Sequence, residues 1–262
     1  MEQETNLLLT SLFRVLGQLQ GINFQTSRYL KGYASAIEQE FRRLPFSHLS
    51  TSLVLLDLKA KNKKEASQIY TGHGYGVNNE HASKQCESNI NFYCSLSLSY
   101  GYELFETFIK RTLSIIADFD ESIITENVKQ YELKNKYAEI CFDNLSSGSN
   151  NENYFKVLRR ICPDILKTEQ QNCRKLNLSD WYKAFSIFRH SVIHKNIVCT
   201  TESYEKNKNM IEKYFPIIEN ENTLKFKITY NNLDDNLILI GEYAHLISSE
   251  LGKKYEFKIN KP

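Results

Sequence analysis

The residues best suited to chemistry fall in one stretch, Arg189-His190-Ser-Val-Ile-His194-Lys195-Asn196. On a helix, an arginine and a histidine five positions apart lie about 7.5 Å from each other along the axis, so both can address one phosphate. The guanidinium fork of Arg189 can hold phosphate oxygens and stabilise the added charge of a pentavalent state. The imidazole of His194 can take a proton from a nucleophile or give one to a leaving group, because a free imidazole titrates near neutrality. RNA brings its own nucleophile, the ribose 2′-hydroxyl, so such a pair needs neither a metal nor a protein nucleophile.

The same residues admit plainer readings. An ordinary surface helix can carry two histidines by chance. His190 and His194 also have the i, i+4 spacing of zinc ligands, but the Glu of His-Glu-x-x-His is absent and no third ligand stands out, so no metal or other cofactor is expected. Glu103 and Glu106 could orient Arg189 or contact substrate, or they could be solvated carboxylates on a helix face. Gly72-His73-Gly-Tyr-Gly76 lacks the Gly-Lys-Ser/Thr of a phosphate loop and reads as a turn, with His73 and His81 as substrate-contact candidates. Lys59–Lys64 and the lysines of 203–213 are either phosphate contacts or a solvated face.

The motif needs a helix to present it. Trp181, Ala184, Phe185, Phe188 and Val192 fall on one stripe at helical spacing, which predicts a helix over Ser179–Val198, opened by Ser179-Asp180 as N-cap. Ile187 and Ile193 lie off that stripe, on either side of the histidines, so the far face is expected to be covered. A second long helix is expected over Ile90–Phe119. Shorter ones are expected at Leu7–Leu19 (ended by Gly21), Phe24–Leu44, Glu121–Cys141, Asn153–Cys173 (kinked at Pro163), Ser203–Tyr214 and Leu233–Leu251. Residues 51–60 fit a buried strand or a short helix, 61–88 a long polar loop, and 145–152 a loop. Leu224–Tyr230 and Tyr255–Ile259 alternate with strand period. The expected fold is mainly α, a helical bundle with N-terminal helices and a small C-terminal strand–helix–strand addition. The expected domains are an N-terminal helical extension over 1–89, a bundle over 90–200 and an appended part over 201–262.

Composition supports a folded, helix-rich chain: 41% hydrophobic and 12% aromatic residues, with 4 Pro and 10 Gly in 262 residues. A net charge of +2 permits an anionic partner without demanding one. The six cysteines have no C-x-x-C pair and read as free thiols. The acidic N-terminus is not that of a signal peptide, and no apolar run approaches the roughly 18 residues of a membrane span. A cytoplasmic protein with no membrane association is expected.

Arg189-His190-x-x-x-His194, with its aromatic helical lead-in, resembles the signature of the HEPN superfamily, Arg-x4–6-His with a polar residue after the Arg. The resemblance covers roughly Ile90–Val198, and the helix holding Tyr100–Lys110 resembles the family's early bundle helix. It implies a helical bundle whose two copies build one composite, metal-independent endoribonuclease centre in a homodimer. By the same resemblance Arg189 and His194 are the catalytic pair, with His190 as the adjacent polar residue. Lys195, Asn196 and Glu103 are the candidate substrate-binding residues. Many members are toxins or antiphage effectors, which implies RNA as partner and an antitoxin or other protein as regulator. A non-catalytic module that binds RNA or protein is the alternative that the residues leave open.

Overall fold

Helical periodicity in the sequence is realised as helix through most of the chain. The computed structural model describes residues 1–41, 43, 48–56, 68–78, 82–123, 154–220 and 223–259. Its helices are α1 (Glu2–Phe41), α2 (Ala82–Ala117), α3 (Tyr154–Ile161), α4 (Pro163–Gln170), α5 (Leu178–Lys195), α6 (Thr201–Tyr214) and α7 (Tyr230–Lys254). Its strands are β1 (His48–Leu56), β2 (Gln68–Asn78), β3 (Val198–Cys199), β4 (Ile217–Asn220) and β5 (Thr223–Phe226). The protein is therefore mainly α with a small C-terminal sheet. It divides into two compact units, Met1–Phe24 with Asn91–Pro262, and Gln25–Ile90. The first 24 residues, expected within an N-terminal extension, thus cluster with the bundle.

In the larger unit, α5 buries the stripe expected of it: Trp181, Ala184, Phe185, Phe188 and Val192 are all buried. Phe188 stacks on Phe215 with ring centroids 5.0 Å apart and meets Phe226 edge-on at 5.1 Å. Such pairs add about 0.5–1.5 kcal/mol each beyond the area they bury. The N-cap of α5 is Asn177, whose side chain accepts from the Asp180 N–H; Ser179 and Asp180, expected as the cap, sit inside the first turn. Asn has the same short acceptor as Ser or Asp, so the cap chemistry holds two positions earlier. Tyr214 donates its hydroxyl to the Asn177 carbonyl at 2.9 Å, tying α6 to the start of α5.

The elements around α5 are fitted to one another by close approach and by amide bridges. At Gly101 an added Cβ would come within 2.8 Å of the Leu237 side chain, so α2 and α7 pass closely just before Tyr102 and Glu103. Asn91 grips both sides of β5's end: it donates to the Phe226 carbonyl at 3.1 Å and accepts from the Ile228 N–H at 2.6 Å. Asn23 on α1 donates to Ser97 on α2 at 2.9 Å.

Several boundaries differ from expectation for identifiable reasons. Gly21 does not end a helix; α1 runs through it from Glu2 to Phe41. A glycine within a helix costs only about 1 kcal/mol relative to alanine, and buried Leu9, Leu12 and Leu16 hold that segment in place. Pro163 starts a new helix instead of kinking one, since its missing N–H is harmless at the first helical position. The strand expected over Leu224–Tyr230 stops at Phe226, because Thr229 forms a capping box with Asn232 that starts α7. Residues 257–259 form no strand; Phe257 donates back to the Gly252 carbonyl at 2.9 Å. The three-stranded antiparallel sheet is instead ordered β3-β5-β4.

The smaller unit contains an antiparallel β1–β2 pair with register His48↔Asn78 through Leu56↔Gln68, shifted between Ser52 and Val54. Residues 51–56 are thus strand, and Thr71–Gly76, expected as a turn in a polar loop, lies within β2. Glycines are common beside such an irregularity in a strand pair. Ile37 and Ala82 are buried in this unit. The helix expected at 121–141 is described only in its first residues, a 3₁₀ turn at Glu121–Ile123. The loop expected at 145–152, His81 and Lys59–Lys64 lie outside the described residues.

Candidate functional site on the Arg189–His194 helix

Because Trp181, Phe185 and Phe188 commit one side of α5 to the core, Arg189, His190 and His194 must face outward. His190, Ile193, His194, Lys195 and Asn196 are exposed, and Arg189 is partly so. One helical turn apart, the His190 and His194 rings lie 4.8 Å between centroids, inclined at 44°. Desolvation lowers the His190 pKa below the usual imidazole range, and the neighbouring positive charges of His194, Lys195 and Arg189 push the same way. A neutral His190 can offer a ring nitrogen as acceptor beside the arginine.

Arg189 meets α2. Its Nε lies 2.5 Å from Oε1 of Glu103. Both atoms are sealed from solvent, but the N–H is not aimed along the line between them, so the contact is a close charge pair and not an aligned hydrogen bond. The Arg189 and Glu103 side chains as wholes remain 34% and 43% exposed. The sealed edge therefore belongs to the pair, and the rest of the guanidinium faces outward.

Glu103, Glu106 and Lys110 follow at i, i+3 and i+7, one stripe of α2. Lys110 Nζ is 3.2 Å from Glu106 Oε1. Burial pushes the Glu106 carboxyl above the usual range; Lys110 opposes this through its charge and hydrogen bond, Glu103 adds to it, and Arg189 opposes it. Behind this stripe lie the buried rings of Tyr102, Tyr154 and Tyr182. The Tyr154 and Tyr182 hydroxyls hydrogen-bond to each other. Burial, followed by the charges of Tyr154, Tyr102 and Glu106, raises the Tyr182 phenol well above its ordinary value, so it stays neutral.

The end of α5 uses two of the expected substrate contacts differently from each other. Lys195 is exposed in the last turn, where a cation suits the helix dipole. Asn196 is the C-cap, in the left-handed region at φ 48°, ψ 51°. Ile197 follows at φ 70°, which for a β-branched residue stores about 1–3 kcal/mol of strain. It is held there by the Ile197 N–H to Ser191 carbonyl bond at 3.0 Å and the Phe226 N–H to Ile197 carbonyl bond at 3.1 Å.

Apolar residues border the cluster. Ile193 is 50% exposed beside His194, and Tyr93, Leu96 and Tyr100 form an exposed line on α2 that leads to Glu103. The structure thus brings Arg189, His190, His194, Lys195 and Glu103 to one locality. Lys110 and the tyrosine hydroxyls were missed by the sequence reading. The i, i+4 step from Glu106 to Lys110 was a visible signal for the first; nothing in the spacing of Tyr102, Tyr154 and Tyr182 announced the second.

Among the described residues no three His, Cys, Asp or Glu side chains are grouped to hold a metal ion, and no helix is long and apolar enough to cross a membrane. No protein-family model matches the chain, and no curated protein or solved structure matches it.

Proposed function

We propose that the protein is a metal-independent endoribonuclease acting on single-stranded or loop RNA, with Arg189, His194 and His190 as its catalytic residues. The observation that carries this reading is a guanidinium and two imidazoles on the solvent side of a single helix, held by an aromatic core. The resemblance of Arg189-His190-x-x-x-His194 to the HEPN signature points the same way. So does the exposed apolar surface beside the motif, which suits a second copy of the chain.

In the proposed reaction the ribose O2′ bonds to the adjacent phosphorus while the P–O5′ bond breaks. The products are a 2′,3′-cyclic phosphate and a free 5′-hydroxyl. The 2′-hydroxyl proton goes to one imidazole and the leaving O5′ takes a proton from another. In a two-fold dimer the two copies of His194 can divide these tasks. Arg189 neutralises the phosphate, and His190, its pKa lowered by desolvation and then by its cationic neighbours, accepts a hydrogen bond from substrate. Unstacked nucleotides are the natural target, because the in-line geometry is denied within an A-form helix.

Incubating the purified protein with a labelled hairpin RNA in excess EDTA tests the reading. Cleavage in the loop, products ending in 2′,3′-cyclic phosphate, and loss of both in His194→Ala are expected. Cleavage that EDTA abolishes, or that His194→Ala retains, rejects it.

A further inference from the structure

Two carboxylates one turn apart on α2 have different cationic partners. Glu106 Oε1 lies 3.2 Å from Lys110 Nζ. Glu103 has no such partner and lies at 2.5 Å from Arg189 Nε, with both contacting atoms sealed. Nε is the inner corner of the guanidinium; the two Nη groups carry the other four N–H donors and lie at the outer end of the side chain. A carboxylate that merely blocked the arginine would take the outer fork, the edge that matches a phosphate. Glu103 takes the inner corner instead.

From this we infer that Glu103 is a positioning residue for the ribonuclease reaction proposed above, and not a substrate contact. A free arginine side chain loses rotamer entropy on being fixed. The Glu103 contact fixes the guanidinium at its Nε before substrate arrives and leaves the rest of the partly exposed group free to meet a phosphate. The sealed Nε–Oε1 contact also keeps the negative charge of Glu103 on the far side of the guanidinium from an incoming phosphate. Without the Glu103 carboxylate the Nε corner loses its partner and the arginine regains its rotamer freedom. A misplacement on the order of 1 Å at a phosphate-binding group costs roughly 100-fold in rate.

The test compares full-length wild type with Glu103→Gln and Glu103→Asp in steady-state cleavage of a hairpin RNA. It also records the ¹⁵N–¹H resonance of Arg189 Nε, assigned by its disappearance in Arg189→Lys. Expected for Glu103→Gln are a kcat lower by about 10- to 100-fold at little-changed KM, and a fast-exchanging Nε–H where wild type shows a protected one. Glu103→Asp, which keeps the charge one methylene shorter, should lie between the two, and it serves alone if the Gln variant does not fold. A Glu103→Gln enzyme as fast as wild type or faster overturns the inference, because the carboxylate would then be an obstacle. A rise in KM at constant kcat overturns it too, since that marks a direct substrate contact. Wild type that protects Nε–H yet cuts no RNA refutes the ribonuclease reading, and the catalytic role of Glu103 with it, while leaving the pair itself intact.

Discussion

The indole Nε1 of Trp181 donates to Oδ1 of Asn236 at 2.8 Å, and both residues are buried. This bond joins the core face of α5 to α7 across 55 residues of sequence. It satisfies the only polar group of the largest side chain beneath the Arg189–His194 face. Asn236→Leu should leave the indole N–H unpaired in an apolar setting, at a cost of about 1–3 kcal/mol. Urea denaturation at neutral pH measures this; a loss under 0.5 kcal/mol would mean that the indole has another acceptor.

Glu169 is fully buried and takes Nε and Nη2 of Arg159 at 2.9 and 3.1 Å, with the Tyr243 hydroxyl as a further donor. Removing the carboxylate alone strands the buried Tyr243 phenol and leaves Arg159 without its counter-charge, its Nη2 keeping a bond to Ser179 at 3.2 Å, so Glu169→Ala should cost about 3 kcal/mol. Replacing both partners with apolar side chains of similar length, Arg159→Met with Glu169→Met, should recover part of that loss, the Tyr243 hydroxyl still lacking its acceptor. A double-mutant cycle on folding free energy distinguishes the cases: a double variant no better than Glu169→Ala shows that the pair is net stabilising.

What the sequence revealed and what it hid follow from the range of the interactions involved. The inward stripe of α5 was legible because Trp181, Phe185, Phe188 and Val192 recur at a period that chain geometry alone imposes. The same periodicity announced α2, α6 and α7. Gly21 misled because local propensity was weighed without the buried leucines that override it. Thr71–Gly76 misled because strand pairing depends on a partner strand elsewhere in the chain. At the candidate site the residue types on α5 could be read directly. The approach of Glu103 to Arg189 could not, since 86 positions separate them in sequence and only the packing of α2 on α5 brings them together.

Burial raises the Glu106 carboxyl despite the nearby Lys110 and Arg189, so the fold favours its neutral form. A carboxyl whose folded pKa exceeds its unfolded value contributes stability that is complete below the ordinary value of 4.5 and is lost as pH climbs through the raised one. Glu106→Gln is neutral at every pH and has the same shape. Its melting temperature minus that of wild type should therefore grow as pH rises above 4.5. A difference that shrinks over this range would show that the Lys110 ion pair outweighs desolvation.

Ile193 and Tyr100 are half exposed beside the candidate site, a costly place for apolar groups unless something covers them. If a second copy does so, a carboxylate at either position is buried on association and repelled by its symmetry mate. Ile193→Glu and Tyr100→Glu should each shift the mass measured by light scattering from dimer to monomer while leaving the helical circular dichroism unchanged. A wild-type protein that is monomeric at micromolar concentration would remove the composite centre from the proposal.

His194 and Arg189 should separate catalysis from folding in different ways. His194 is exposed in the last turn of α5 beside the His190 ring, so His194→Ala should change stability by less than about 0.5 kcal/mol. Loss of a general acid or base costs about 100- to 10,000-fold in rate, so cleavage should fall steeply in a protein that melts like wild type. Arg189→Ala should abolish cleavage as well, but it also leaves the sealed Oε1 of Glu103 without its counter-charge, so a measurable drop in melting temperature should accompany it. Arg189→Lys keeps the charge without the planar fork, and should restore the melting temperature more fully than the activity. If both histidine and arginine variants lose stability and RNA binding in proportion to activity, the residues are structural parts of a binding module, and the reaction assigned to them does not take place there.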